Sequence, residues 1–351
     1  MSKVVSSEEA VTGESLRIKL NNATLSQMEF KPEIVDDLCE MGSRVFRPAK
    51  MQIRDELLAK GKWQRGENMG IKKVGVVGCG VMGAGIVQLC AQAGYQVMVS
   101  ELNDILLDKG LALINRSLAR SVDKGRLSQP DKSSVLGHIR GTTGLQSFSD
   151  RDIVIEAATE NLDLKKNLFA ELDKICPKHA VLATNTSCLS IIDIAMATSR
   201  PDKVLGLHFM NPAPVMKLLE VVKTIVTSDD TLEIGKDFGK SLGKTIVVAS
   251  DVPGFIVNRL MVPFILDATH MLEANVATRE DIDIAISLGL NHPMGPLTLA
   301  DLIGIDVVFL IANAIYKESR DPRYITPILM NRMVAAGWLG RKAGRGFYEY
   351  K

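Results

Sequence analysis

The sequence feature that most constrains the fold is a glycine-rich turn between a predicted strand and a predicted helix. Residues 74–77 (VGVV) form a short, wholly apolar run, as expected of a buried parallel strand. The turn Gly78-Cys-Gly-Val-Met-Gly83 follows, and residues 86–93 then have helical spacing. A second strand is predicted at residues 96–100, so the glycines lie at the first strand-to-helix junction of a βαβ unit.

Each glycine of this turn has its own physical role. Gly78 permits a tight turn, Gly80 lets backbone N–H groups approach a pyrophosphate, and Gly83 lets the helix pack closely on the strand. The free N–H groups and the dipole at the start of the helix also favour an anion. The sequence therefore predicts a dinucleotide site formed by Gly78, Gly80, Val81, Met82 and Gly83.

Glu101, which follows the second predicted strand, distinguishes between dinucleotides. A carboxylate at this position accepts hydrogen bonds from the adenosine ribose hydroxyls and repels the 2′-phosphate of NADP. The next residues are Leu102 and Asn103, so no arginine follows. NAD is therefore the expected cofactor. The alternative is a solvated glutamate at a strand end, in a sheet that binds nothing.

Strands and helices continue to alternate beyond this unit. Further strands are predicted at residues 152–156, 180–183 and 204–207, separated by helical stretches such as residues 164–176. This alternation indicates an α/β fold with a Rossmann-type, doubly wound parallel sheet. We expect an NAD-binding domain over residues 70–251.

From residue 252 onward the pattern is helical. Residues 255–273, 279–288 and 297–316 have helical length and spacing, with Gly and Pro between them. We expect an all-helical C-terminal domain over residues 252–351, with Pro253-Gly254 at the boundary. Residues 1–69 show no recognisable motif, and we expect them to be an extension whose role the sequence does not give.

Composition and charge argue against several classes of partner. Of the 351 residues 24% are charged, and the net charge of +1 provides no field for nucleic acid or an anionic membrane. The apolar runs are too short to cross a bilayer.

Five scattered cysteines without a CxxC pair are typical of a reducing compartment, and the acidic N-terminal residues do not resemble a signal peptide. We expect a cytoplasmic protein that binds no metal, because no histidines have metal-ligand spacing.

His208 and Glu220 are candidates for proton transfer. His208 follows a predicted strand, at the end where open α/β sheets bind ligands. Glu220 lies on an apolar face of the strand predicted at residues 217–222, where a carboxylate needs a partner. An imidazole can remove an alcohol proton at neutral pH, and a carboxylate on its other nitrogen fixes the tautomer. The alternative is a structural histidine and an edge-strand glutamate.

Two further polar residues lie near the predicted sheet edge. Ser187 follows the strand at residues 180–183, and Asn258 lies in the first turns of the helical domain. On physical chemistry alone the simpler roles are a helix cap or turn for Ser187 and a helix-face contact for Asn258.

Seven blocks of the sequence resemble the 3-hydroxyacyl-CoA dehydrogenases, especially the short bacterial 3-hydroxybutyryl-CoA dehydrogenases. They stand in the family's order, and residues 1–69 lie outside them. The blocks are Gly78-Cys-Gly-Val-Met-Gly-Ala-Gly85, Glu156-Ala-Ala-Thr-Glu-Asn161, Asn185-Thr-Ser187, His208-Phe-Met-Asn-Pro-Ala-Pro-Val-Met-Lys217 continuing to Glu220, Pro253-Gly-Phe-Ile-Val-Asn-Arg-Leu260, Leu288-Gly-Leu-Asn-His-Pro-Met-Gly-Pro-Leu297 and Gly340-Arg-Lys-Ala-Gly-Arg-Gly-Phe-Tyr348.

The resemblance implies catalytic roles. In the family, the residues matching His208 and Glu220 are the catalytic pair. Those matching Ser187 and Asn258 contact the substrate around its hydroxyl and thioester. The implied reaction passes hydride between C3 of a short-chain 3-hydroxyacyl-CoA and NAD, a step of fatty-acid β-oxidation. The family usually has Asp where Glu101 stands, a difference of one methylene that is compatible with the expected ribose contact.

The resemblance also implies binding residues and assembly. A lysine matching Lys124 lies near the CoA phosphates, with Arg120 and Arg126 as nearby alternatives. In the family the helical domain forms a homodimer, and the resemblance implies the same for this chain. Alternatives that fit the same blocks are an L-gulonate-type sugar-acid dehydrogenase and a non-catalytic NAD-binding protein. The residues implied to lie against the cofactor, besides the turn and Glu101, are Glu160, Lys165, Ser187 and Asn211.

Overall fold

The computed structural model describes residues 70–350 of the chain. The described residues from Ile71 onward form one compact unit. The expected extension, residues 1–69, lies outside the described residues, as does Lys351.

Eight strands form one sheet in the order β3-β2-β1-β4-β5-β6-β7-β8. Strands β1 to β6 run parallel, as the βαβ pattern predicts. The strands are β1 (Lys73–Val77), β2 (Gln96–Ser100), β3 (Ile139–Thr142), β4 (Ile153–Glu156), β5 (Val181–Thr184), β6 (Val204–Phe209), β7 (Leu218–Lys223) and β8 (Thr245–Ser250).

The helices cover both faces of the sheet and then form a separate layered group. The described α-helices are α1 (Val81–Gln92), α2 (Asp104–Asp123), α3 (Gln129–Gly137), α4 (Leu162–Ile175), α5 (Ile191–Ala195), α6 (Asp229–Ser241), α7 (Val257–Glu273), α8 (Arg279–Gly289), α9 (Pro296–Ile303), α10 (Ile305–Ser319) and α11 (Ile328–Ala335). Two buried apolar clusters lie on the two faces of the sheet, and a third lies within the helical C-terminal domain.

The sheet departs from a purely parallel arrangement at one edge. Strand β7 pairs antiparallel with β6, and β8 pairs parallel with β7. The reason is the short connection at residues 210–217, because a parallel neighbour requires a crossover of about a dozen residues or more. The antiparallel register places His208 directly opposite Glu220.

The prediction of one continuous helix at residues 297–316 is wrong. The chain forms two helices there, α9 and α10, which meet at an angle of 95°. Gly304 separates them with a φ of +107°, a conformation that L side chains rarely adopt. Apolar spacing continues through the bend because both helices pack on the same cluster, so the pattern hides the break.

No single described helix is long and apolar enough to cross a membrane. The bent pair α9 and α10 reaches that length and composition only when its two helices are counted together.

Candidate active site

The glycine turn between β1 and α1 has the geometry expected of a dinucleotide site. A Cβ at Gly83 would lie 1.9 Å from the carbonyl oxygen of Gly78, so only glycine allows the helix to start so close to the strand. A Cβ at Gly80 would meet no atom within 4 Å, so the space above this residue is open. Gly80, the residue that precedes α1, makes no side-chain cap, and the first N–H groups of a helix have no partner within the helix. The turn therefore fits a pyrophosphate.

Glu101 lies beside the same turn. Its Oε1 accepts a hydrogen bond of 2.6 Å from the backbone N–H of Cys79, and its Oε2 accepts one of 3.1 Å from Leu102. These bonds hold the carboxylate against the glycine turn and leave lone pairs for further donors such as ribose hydroxyls. Burial raises the pKa of the Cys79 thiol to about 12, with the Glu101 carboxylate adding to the shift, so this thiol is neutral at pH 7.

His208, Glu220 and Ser187 form one hydrogen-bonded chain. His208 Nδ1 lies 2.6 Å from Glu220 Oε2, and His208 Nε2 lies 3.1 Å from Ser187 Oγ. An ionised carboxylate can only accept, so Nδ1 carries the ring proton and Nε2 presents a lone pair towards Ser187. Both His208 and Glu220 are buried. An imidazole with one nitrogen fixed in this way can take a proton on the other.

Glu220 is held as an anion by donors from two directions. Its Oε1 accepts hydrogen bonds of 3.0 Å from the backbone N–H groups of Ile256 and Val257, at the start of α7. Burial alone would raise the pKa of this carboxyl. The hydrogen bonds from His208, Val257 and Ile256 outweigh burial and hold the pKa below its ordinary value of 4.5. The carboxylate therefore stays ionised beside the imidazole.

Glu160 and Lys165 lie beside the Ser187 segment. The Ser187 backbone N–H donates to Glu160 Oε1 at 3.0 Å, and the Thr186 hydroxyl donates to the same oxygen. Lys165 Nζ lies 3.3 Å from Glu160 Oε2. Lys165 is only 1% exposed and also contacts the buried Glu156. The structure thus brings Glu160, Lys165, Ser187 and His208 into one continuous network.

The other predicted site residues lie at separate positions. Asn211 is exposed at the start of the β6–β7 connection, and its peptide bond to Pro212 is cis. Asn258 is buried in the first turn of α7, next in the chain to a donor of Glu220. Lys124 is exposed at the end of α2, while Arg120 and Arg126 are exposed close by in the chain.

Sequence reasoning did not identify Lys244 or Phe255 as parts of the site. Buried Lys244 Nζ donates to the carbonyl oxygens of Ala213 and Met216, which holds the connection that carries Asn211. The Phe255 ring packs edge-on against His208, with 5.4 Å between ring centroids. Phe255 has a φ of +47°, so the chain holds this side chain against the imidazole in a conformation that is unfavourable for a bulky residue. The Pro253-Gly254 pair before Phe255 was the available sequence signal, and Gly254 has a φ of +80° in the structure.

Cys188, next to Ser187, is not a competing nucleophile. Burial raises the pKa of its thiol to about 12, and the Glu160 carboxylate adds to the shift. The thiol is therefore protonated at neutral pH, and thiolates rather than thiols react as nucleophiles.

These features define a class of protein. A dinucleotide turn and a histidine–carboxylate pair lie at one edge of a Rossmann sheet, the edge at which the parallel strands end. This is the arrangement of a nicotinamide-dependent dehydrogenase. The model of the family described as "3-hydroxyacyl-CoA dehydrogenase, NAD binding domain" matches residues 73–252, and that of its "C-terminal domain" matches residues 254–350. The chain belongs to the 3-hydroxyacyl-CoA dehydrogenase family, is an NAD-dependent enzyme, and uses NAD as its cofactor.

Relatives and solved structures agree with this assignment. A 3-hydroxybutyryl-CoA dehydrogenase of Mycobacterium tuberculosis is 47% identical over 282 residues, which cover 80% of this chain and 99% of the relative. The mitochondrial hydroxyacyl-coenzyme A dehydrogenase of Sus scrofa is 43% identical over 80% of this chain and 92% of its own. The crystal structure of (S)-3-hydroxybutyryl-CoA dehydrogenase from Ralstonia eutropha superposes with a TM-score of 0.77 at 44% identity, covering 80% of this chain and 99% of that one.

Proposed function

We propose that this protein passes hydride between C3 of a short-chain 3-hydroxyacyl-CoA, of the size of 3-hydroxybutyryl-CoA, and NAD. The products are then the 3-ketoacyl-CoA and NADH. The observation that carries the proposal is the chain Ser187–His208–Glu220 at the carboxyl edge of the sheet. The names of the bacterial relatives support the short acyl chain.

His208 acts as the general base in this proposal. When bound, NAD⁺ supplies the hydride acceptor. His208 Nε2, whose lone pair faces Ser187 Oγ, accepts the proton of the 3-hydroxyl. Glu220 stabilises the imidazolium that forms and keeps the ring oriented, because its second oxygen is fixed by two backbone N–H groups. In the reverse direction the same nitrogen returns the proton to the ketone oxygen.

Ser187 and Asn258 position the substrate. Ser187 Oγ lies within hydrogen-bond distance of the reacting nitrogen, and its hydroxyl is placed to orient the substrate oxygen. Asn258 stands beside the two amides that hold Glu220 and provides a second polar group for the thioester side of the substrate. Lys124, with Arg120 or Arg126, provides positive charge for the CoA phosphates; all three are exposed.

The cofactor contacts belong to the same proposal. The open space above Gly80 and the uncapped start of α1 support a pyrophosphate at the turn, and Glu101 is placed to accept from the ribose. Glu160, Asn211 and Ser187 follow three different strands at the same edge of the sheet and would lie towards the nicotinamide. Lys165, being buried, acts through Glu160.

We further propose a domain boundary between residues 251 and 252. We also propose a homodimer that is formed by the helical domain. The two family models, which end at residue 252 and begin at residue 254, support the boundary. Large apolar side chains exposed on the helical domain are candidates for the dimer interface, because burial in a dimer would remove them from water. They include Leu260, Val276, Leu288 and Leu310.

We place the enzyme in the cytoplasm, which cell fractionation with immunodetection can check.

The test is the absorbance of NADH in the presence of purified protein and acetoacetyl-CoA. We expect rapid NADH oxidation and little oxidation of NADPH under the same conditions, because the Glu101 carboxylate repels a 2′-phosphate. Absence of turnover with acetoacetyl-CoA and longer 3-ketoacyl-CoA esters would contradict the proposal. Turnover of L-gulonate with NAD, in the absence of any activity on CoA esters, would favour a sugar-acid dehydrogenase instead.

A further inference from the structure

One buried carboxylate, which is part of neither the proposed proton path nor the proposed cofactor contacts, is bonded to residues next to the site. Glu156 ends β4 and is fully buried. Its Oε1 accepts hydrogen bonds from Lys165 Nζ at 2.6 Å and from the Ala158 backbone N–H at 2.7 Å. Its Oε2 accepts one from Thr184 Oγ1 at 2.7 Å. A charge so far from water requires such partners, and here each partner belongs to a segment next to the site.

The hydrogen bonds of Glu156 lead to Ser187 by two routes. Thr184 is opposite Glu156 in the register of β4 and β5, and its Oγ1 accepts from the Thr186 backbone N–H at 3.2 Å. By the second route, Lys165 lies between Glu156 and Glu160, and Glu160 accepts from the Ser187 backbone N–H. Both routes end on the turn that presents Ser187 Oγ to His208.

We propose that Glu156 is a positioning residue for the reaction, which holds Lys165 and Thr184 so that Glu160 and the strand end keep Ser187 in place against His208. This inference rests on the proposed function. Lys165 is placed between two carboxylates, and it cannot move towards Glu160 while Glu156 holds it. Without the charge on Glu156, the ammonium has Glu160 as its remaining carboxylate, moves towards it, and draws Glu160 away from the Ser187 N–H.

The test compares Glu156→Gln with Asp173→Asn. Glutamine keeps the size of the side chain and one acceptor but removes the charge. Asp173 is a matched control because it is also buried and paired with a buried cation, Arg200, at 2.7 Å, but it lies at the end of α4 away from the predicted site residues. We expect Glu156→Gln to lower kcat for acetoacetyl-CoA reduction by about tenfold to a hundredfold, with KM for acetoacetyl-CoA within about threefold.

The control separates positioning from stability. Asp173→Asn should lower the melting temperature and leave kcat within about twofold, because it removes a buried partner without touching the Ser187 turn. If Glu156→Gln behaves like this control, with a lower melting temperature and an unchanged kcat, Glu156 is only structural and the inference is wrong.

A second variant covers the case in which Glu156→Gln does not fold. Thr184→Val keeps all charges and removes only the hydroxyl that joins Glu156 to the Thr186 N–H. We expect a kcat about threefold or more below that of the wild-type enzyme, since one of the two routes remains. An unchanged kcat in Thr184→Val would overturn the first route, and the inference as stated.

A structural readout distinguishes failure of this inference from failure of the proposed function. If the wild-type protein reduces neither acetoacetyl-CoA nor longer 3-ketoacyl-CoA esters, the proposed function fails. A crystal structure of Glu156→Gln, or of Thr184→Val, still tests the positioning. We expect the Glu160 Oε1 to Ser187 N distance, 3.0 Å in the present structure, to exceed hydrogen-bond length in Glu156→Gln. An unchanged distance would overturn the inference whatever the activity.

Discussion

The imidazole of His208 is the group on which the proposed chemistry depends most directly. His208→Ala removes the acceptor of the hydroxyl proton, and we expect kcat to fall by about 10²–10⁴-fold. NADH affinity should change little, because Gly80 and Glu101 lie after other strands. Steady-state kinetics and NADH fluorescence titration measure the two effects. A kcat within tenfold of the wild-type value would mean that another group takes the proton.

The Glu220 carboxyl gives the protein a dependence of stability on pH. Because its pKa in the folded protein lies below 4.5, its contribution is fully present above that pH and is lost as the pH falls through the folded pKa. We expect Glu220→Gln to lower the free energy of unfolding by about 1.5–3 kcal/mol at neutral pH.

The difference between wild type and Glu220→Gln should shrink as the pH falls below 4.5. Urea unfolding between about pH 3 and pH 7 measures it, and other acidic groups cancel because both proteins share them. If the free energies of unfolding of the two proteins differ by the same amount at every pH in this range, the carboxyl is not held ionised by its donors.

Among the individual residues of the candidate site, some could be predicted from the sequence and others could not. The pairing of His208 with Glu220 could be proposed from local patterns, because each stands in an apolar strand where a polar side chain requires a partner. Their catalytic roles came from the family resemblance and stay a prediction. Glu156 ends a strand in the same way, but its partners Lys165 and Thr184 come from other elements. Lys244 contacts residues about thirty positions earlier in the chain, and no local spacing reports such a contact.

Among the elements, the β1–α1 turn allows a sharp comparison between two glycines. At Gly80 a methyl group has open space and a negative φ, so Gly80→Ala should leave stability unchanged. The same methyl group would occupy the space that a pyrophosphate needs. We expect the Kd for NADH to rise about tenfold or more, equivalent to about 1.4 kcal/mol.

Gly83 is the matched control for this comparison. A methyl group there would overlap the Gly78 carbonyl oxygen, so Gly83→Ala should destabilise the fold by about 1–3 kcal/mol or more. Thermal melting and NADH titration of both variants separate the two roles. Unchanged NADH affinity in Gly80→Ala would place the pyrophosphate elsewhere.

The elements themselves were predictable where periodicity and turn chemistry agreed. Strands β1, β2 and β6 lie where their apolar runs predict them. The short, polar β3 and the half-exposed β8 carry weaker patterns. The direction of β7 follows from the length of its connection rather than from its residues. The break at Gly304 was missed because apolar spacing continues on both sides of it.

For the whole molecule, the proposed homodimer predicts unequal effects of two exposed apolar residues. Leu288 is 81% exposed on the helical domain, and Ile225 is 96% exposed after β7. We expect Leu288→Glu to shift the protein towards monomer, because a charge opposes burial at an interface. Ile225→Glu should leave the mass unchanged. Light scattering after size-exclusion chromatography measures both, and equal masses for the two variants would place any interface away from Leu288.

The hydrogen bonds from Ile256 and Val257 to Glu220 have a consequence for how this enzyme is made and how it evolves. A nascent chain that has left the ribosome only as far as β8 already contains His208 and Glu220, but not the two amides that hold the carboxylate. On the proposed function, it therefore acquires the complete His208–Glu220 pair that would act as the base only when the first turn of α7 forms. For the same reason, recombination that replaced the helical domain with that of a relative would preserve catalysis only where this turn returned to its place.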